Sequence, residues 1–169
     1  MELVTVDIHR AHESEAAEVA EVHLASWQSA YRGIIPHQTL EKMIARRGDA
    51  WWQKAIAGGT HVIVIDFNGV IVGYVTVGFN RASTLPHDGE IYELYLLPEY
   101  QGIGLGKQLF NNAQSVLAHY GMESIVAWVL EDNEPACLFY ERLGGRVVAR
   151  STEMFGDKAL KKVAFAWGD

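Results

Sequence analysis

Apolar residues recur at helical spacing through the first third of the chain and then, from about residue 61, at strand spacing. After "LVTVDIHRA" (3–11), which reads as a strand, residues 14–33 carry Ala16, Val19, Ala20, His23, Leu24 and Trp27 along one stripe, with Ser14 as the expected N-cap and Gly33 at the end. A short helix follows Pro36 in "HQTLEKMIARR", and "AWWQKAIAGG" adds another before its glycines stop it. The period then changes to two. "THVIVIDFNGVIVGYVTVGF" is two β-branched runs joined at Asn68-Gly69, the pairing that suits a tight hairpin turn. Beyond the turn-rich "NRASTLPHDG" come a strand in "EIYELYLL" closed by Pro98, a helix in "LGKQLFNNAQSVLAHYG", a strand in "SIVAWVLED", a helix in "EPACLFYERLG" and the strands "RVVARSTEMF" and "ALKKVAFAW". A helix between two strands predicts a parallel central pair, and the flanking hairpins predict antiparallel edges. The pattern therefore describes one domain over residues 1–169, an α/β fold with a mixed, mostly antiparallel sheet and helices on both faces.

Composition narrows the partners. A chain of 169 residues, 49% hydrophobic and 21% charged, buries roughly two-thirds of its unfolded surface as one domain. No apolar run approaches a membrane span, and the first residues lack a basic stretch followed by an apolar one, so a soluble, cytoplasmic protein without a membrane partner is expected. The net charge of −7 repels polyanions and argues against nucleic acid, while weakly favouring cationic acceptors. The single cysteine, Cys137, excludes an internal disulfide and a cysteine-based metal cluster; on a predicted helix it reads as structural rather than nucleophilic. His9 and His12 stand three apart with no third ligand in sight, so no metal is expected.

The most distinctive chemistry lies in "EYQGIGLGKQLF" (99–110), where glycines occupy every second position immediately ahead of a helix. A helix start gathers unpaired N–H groups and the positive end of the dipole, which suits a phosphate-bearing cofactor. A dinucleotide fingerprint would need its third glycine where Lys107 stands, and a P-loop would need a glycine at Gln101 and a hydroxyl at Gln108. Both fail. Gln101, Gly104 and Gly106 fit Gln-x-x-Gly-x-Gly after a strand ending in Pro98.

With "ELYLLPEYQGIGLGKQLF", followed about 30 residues later by "NEPACLFYERLGG", the chain resembles the GNAT superfamily of N-acetyltransferases, and "SWQSAYRGIIP" resembles the first-helix segment of its small single-domain members. The resemblance runs from about residue 3 to 167. It implies the GNAT acyl-CoA N-acyltransferase fold, acetyl-CoA as cosubstrate without a metal, a small primary amine such as an amino acid as acceptor, and a homodimer. A protein or peptide acceptor, or a non-catalytic acyl-CoA-binding module, are the alternatives.

The roles implied fall residue by residue. The backbone of Leu94, Tyr95 and Leu96 would hold the pantetheine arm, with the Leu96 N–H on the acetyl carbonyl. Amides from Gly102 through Ile103, Gly104, Leu105, Gly106 and Lys107, with Gln101 beside them, would cradle the pyrophosphate. Asn133 matches a residue that binds the cofactor arm and equally suits a helix N-cap. Tyr140 matches the tyrosine that protonates the departing thiolate, or is a core tyrosine. Glu93, and less so Glu90, are the candidate bases; three apart on a strand, they face opposite ways unless a bulge intervenes. Some protein N-terminal acetyltransferases of the superfamily use a glutamate where Trp128 stands, which counts against that role. Trp27, Tyr31 and Arg32 would wall the acceptor or simply pack. Trp51 and Trp52 read as core or as a dimer contact. One departure is visible: Leu143-Gly144-Gly145 replaces the common Leu-Gly-Phe, removing an aromatic that packs behind the sheet.

Overall fold

The computed structural model describes residues 3–168. Seven strands form one sheet: β1 (Val6–Arg10), β2 (His61–Phe67), β3 (Val70–Phe79), β4 (Gly89–Leu96), β5 (Ile125–Leu130), β6 (Arg146–Phe155) and β7 (Lys158–Trp167), in the order β1-β2-β3-β4-β5-β7-β6. Only β4 and β5 are parallel; the other neighbours are antiparallel. The expected hairpin joins β2 to β3, with Asn68 at φ 54° and Gly69 at φ 86°, the two positive angles of a turn whose twist matches the strands.

Strand alternation divides the core. Ile63, Ile65, Val75, Ile91, Ala127 and Phe165 point to one face, where they pack on α4 (Leu105–His119) and α5 (Glu134–Arg142). Val62, Val64 and Tyr74 point to the other, against α1 (Ala16–Tyr31) and α3 (Asp49–Ala57), with α2 (His37–Ala45) beside them. Among the described residues no helix is long and apolar enough to cross a membrane.

Two details correct the reading of the first helix. Ser14 does not cap it: a single 3-10 turn at Glu13–Glu15 precedes α1, and the reciprocal bond of a capping box is made by Glu15, whose carboxylate accepts the His12 N–H at 2.8 Å. Leu24, on the predicted apolar stripe, is exposed, whereas Val22 and Ser26 are buried; Ser26 donates its hydroxyl to the Leu96 carbonyl, a bond no apolar pattern reveals.

The missing aromatic after Leu143-Gly144 is replaced from elsewhere. Trp167 at the end of β7 lies over Gly145, packs at an angle against Phe110 and edge-on to Tyr140, and donates its indole N–H to the Leu143 carbonyl at 3.2 Å. A Cβ on Gly145 would meet Trp167 at 2.7 Å and the Tyr140 carbonyl at 2.9 Å. Gly145→Ala is accordingly expected to cost about 1–3 kcal/mol, read as a lower urea midpoint at unchanged slope; an unchanged midpoint would show that the indole does not fill this space.

Candidate active site

The site begins with one extra residue in β4. Glu90 pairs with Gly78 and Ile91 with Val77, but the next pair on β3, Thr76, faces Glu93, leaving Tyr92 as a bulge. Gly78 and Thr76 are two apart and share a face, so their partners Glu90 and Glu93 share it too, the side of α1. The bulge is held by Tyr92 itself. Its ring lies across Gly78, where a Cβ would come within 2.5 Å of the hydroxyl, that hydroxyl donates to the Phe79 carbonyl at 2.6 Å, and Arg81 stacks on the ring at 3.9 Å.

At the same point β4 leaves β5. The parallel ladder covers Gly89, Glu90 and Ile91 only, and β5 from Trp128 to Leu130 pairs with β7 alone. Leu97 donates its N–H to the Val72 carbonyl on β3, so antiparallel alternation turns the N–H groups of Leu96 and Leu94 toward the edge that β5 has left. Tyr95, between them, bonds β3. The fork is closed below by the paired stretch and open above, toward the start of α4.

That helix start has the geometry its glycines suggest, with distinct parts for each. Gly102 and Gly104 have φ of 81° and 88°, angles that cost a residue with a Cβ roughly 1–2 kcal/mol, and Gly104 is the N-cap. Gly106 is instead a packing glycine: a Cβ there would meet Phe139 of α5 at 3.0 Å. Ile103 and Lys107 are exposed, whereas the Leu105 side chain is core. Gln101 turns its amide back to the Leu96 carbonyl at 3.2 Å, bracing the end of β4.

The two glutamates have different environments. Glu90 accepts from the Arg81 N–H at 2.9 Å and from its guanidinium Nη2 at 2.8 Å, and it is fully engaged. Glu93, whose side chain is 13% exposed, accepts from Arg47 Nη1 at 2.6 Å. Burial pushes its pKa up, against the pull of the Arg47 guanidinium. Around it stand Trp27, Tyr31, Tyr74 and Tyr95, with the Tyr31 and Tyr95 hydroxyls 2.5 Å apart and the Trp27 ring 5.9 Å from Tyr95.

The remaining expected residues divide. Tyr140 is buried among Phe110, Phe139, Phe165 and Trp167; burial raises its pKa, and its hydroxyl has no hydrogen-bond partner among the described residues. Asn133 is the N-cap of α5, its Oδ1 accepting from the Ala136 N–H at 3.4 Å. Arg32 does not join the aromatic group: it is exposed at the end of α1 and lines a separate cleft of about 300 Å³ with Gln28, Ile35 and Lys158. Trp52 is core, while Trp51 is exposed. Trp128 lies under the Lys162 ammonium at 4.9 Å. Cys137 is half-buried, and burial raises its thiol pKa, away from nucleophilic character. Beside His9 and His12 stands a third group able to ligate, Glu15: the His9 Nε2 lies 3.0 Å from both Glu15 oxygens and its Nδ1 2.6 Å from Asp7, so its pKa is raised by these carboxylates despite partial burial. Glu15 was invisible as a partner because it comes from the turn after β1, six residues on.

His23 of α1 is wholly buried beside these rings, its Nδ1 3.1 Å from the Tyr74 hydroxyl. Burial, aided by Arg47, lowers its pKa to about 3. The unfolded chain takes up this proton below about pH 6.5 and the folded chain only near pH 3, so its share of stability is complete above pH 6.5 and declines as the pH falls toward 3, at up to about 1.4 kcal/mol per pH unit. Urea midpoints between pH 7 and pH 4 should fall more steeply for the natural protein than for His23→Gln; parallel slopes would place the buried proton elsewhere.

Residues 19–145 match the acetyltransferase (GNAT) family model. The Bacillus subtilis protein YuaI, described as an uncharacterized N-acetyltransferase, is 30% identical over 164 residues, 97% of this chain and 94% of YuaI. MnaT of Escherichia coli, an L-amino acid N-acyltransferase, is 27% identical over 152 residues, 88% of this chain and 84% of its own. Among solved structures, the PaiA N-acetyltransferase of Thermoplasma acidophilum in complex with coenzyme A matches with a TM-score of 0.73 at 18% identity, over 94% of this chain and 98% of that one. Salmonella typhimurium YncA with its cofactor acetyl-CoA matches at 0.68 and 19% identity, over 96% and 93%.

Proposed function

Because the chain belongs to the acetyltransferase (GNAT) family and is an acetyl-CoA-dependent N-acetyltransferase, we propose that it acetylates the primary amine of a small molecule, an amino acid or related compound, with Glu93 as base. The observation that carries this reading is Glu93 itself: a buried carboxylate with a raised pKa, beside the fork in β4 and β5 and faced by aromatic rings. The amino-acid acceptor draws on the likeness to MnaT, whose name gives L-amino acids as its substrates.

Bound acetyl-CoA supplies an acetyl group activated as a thioester. The chain fits it at two places: the N–H groups of Leu94 and Leu96 face the open fork, and Gly102 and Gly104 present backbone at the start of α4, where the helix dipole favours a pyrophosphate. Leu96 N–H serves the carbonyl oxygen as negative charge develops on it. Glu93 accepts the proton of the ammonium, so that a neutral amine attacks; a carboxylate raised by burial is better matched to this task than an exposed one. Glu90, saturated by Arg81, positions that arginine and with it the bulge, and we assign it no proton transfer. Tyr140 keeps its proton at neutral pH and gives it to the departing thiolate, while Asn133 fixes the start of α5 that carries this tyrosine. Trp27 and Tyr31 wall the acceptor.

Thiol release from acetyl-CoA across an amine panel tests the assignment. Glu93→Gln should lower kcat about 100-fold or more and Tyr140→Phe at least about 10-fold, with the acetyl-CoA KM little changed; full turnover in both variants would refute the mechanism. The expected homodimer would use the exposed edge of β6, where Val147 and Met154 are open to solvent. Light scattering at micromolar concentration should then read twice the chain mass, and the mass of one chain would refute it.

A further inference from the structure

Arg47 stands in the short connection between α2 and α3, and no sequence pattern singles it out. Its guanidinium carbon lies 4.6 Å from the Trp51 ring centre, 5.8 Å from Trp27 and 6.0 Å from Trp52, while Nη1 bonds Glu93. An arginine has five N–H donors in a planar fork, and among the described residues this side chain uses them only on Glu93. The same cluster holds two wholly buried polar atoms without partners among the described residues, the indole N–H of Trp52 and Nε2 of His23. Protein interiors pair nearly all such groups, so their concentration at one ion pair points to a ligand site.

Charge then selects the ligand. An amine with no second charge takes Glu93 but leaves Arg47 stripped of its anion beside another cation. A bare anion takes Arg47 and leaves Glu93 buried alone. Breaking a largely buried pair is costly unless each partner is replaced. A molecule with an ammonium and a carboxylate on the same carbon replaces both at once, the ammonium at Glu93 and the carboxylate across the planar fork of Arg47. We propose that the acceptor is an α-amino acid and that Arg47 is the residue that selects it, by its carboxylate. The assignment rests on Glu93 receiving the acceptor's amine. Arg47 also explains the guarded resting state: the guanidinium occupies the carboxylate until a zwitterion exchanges with it.

The test compares each amino acid with the same compound capped as its carboxamide, by thiol release. The wild-type enzyme should favour the free amino acid about 10- to 100-fold in kcat/KM. In Arg47→Gln that ratio should fall to near one through a rise in the amino-acid KM, and Arg47→Lys, which keeps the charge and loses the fork, should lie between. Thermal melts establish that the variants fold. Tryptophan emission supplies a second readout on the natural enzyme: an N-acetyl amino acid should change it, and the corresponding N-acetyl amide should not. A wild-type enzyme that prefers carboxamides, or an Arg47→Gln variant with the ratio intact, overturns the role of Arg47 while leaving acetyl transfer to small amines standing. A wild-type enzyme that turns over no small amine overturns both readings.

Discussion

The single extra residue at Tyr92 is the constraint on which the rest of the site depends. A regular β4 would continue beside β5 and turn Glu93 toward α4, into the aliphatic core. With the bulge, pairing to β5 stops at Ile91, Glu93 turns to the α1 side, and two backbone N–H groups lose their strand neighbour. The bulge is stabilised by a short chain of contacts: Tyr92 on Gly78, its hydroxyl on Phe79, Arg81 on its ring, and Glu90 on Arg81. Glu90 thus matters to the site without touching it.

The two faces of the sheet carry different burdens. Behind it, aliphatic and aromatic side chains hold α4 and α5 in place and so set where the glycine segment meets the fork. In front, the interior is rings and polar atoms: His23 held neutral, Tyr74 and Tyr95 raised in pKa by burial, and the Arg47–Glu93 pair. A partly buried ion pair such as this is a poor source of stability, since apolar residues of similar volume often serve as well or better.

Much of this was legible in the sequence because it is local. Asn68-Gly69 and the flanking Val and Ile residues define a hairpin by themselves, and the glycines ahead of α4 announce a helix start with positive angles, as Gly102 and Gly104 have. What was not legible arises from pairs distant in the chain. Gly78 reads as an ordinary weak strand residue until Tyr92, 14 positions on, lies over it. Trp167 replaces the aromatic missing after Gly144 from the far end of the chain. Arg47 meets Glu93 across 46 residues, and Ser26 binds Leu96 across 70. Arg32 illustrates the reverse case: its neighbour Tyr31 is in the aromatic group, but the helix ends between them and Arg32 turns to solvent.

Hydrogen exchange at individual amides, with and without acetyl-CoA, tests the fork most directly. The N–H groups of Leu94 and Leu96 should exchange quickly in the free protein and become protected when acetyl-CoA binds, while those of Tyr95 and Leu97, bonded to β3, stay protected throughout. Protection of Leu94 and Leu96 in the free protein, or no change on binding, would contradict the account.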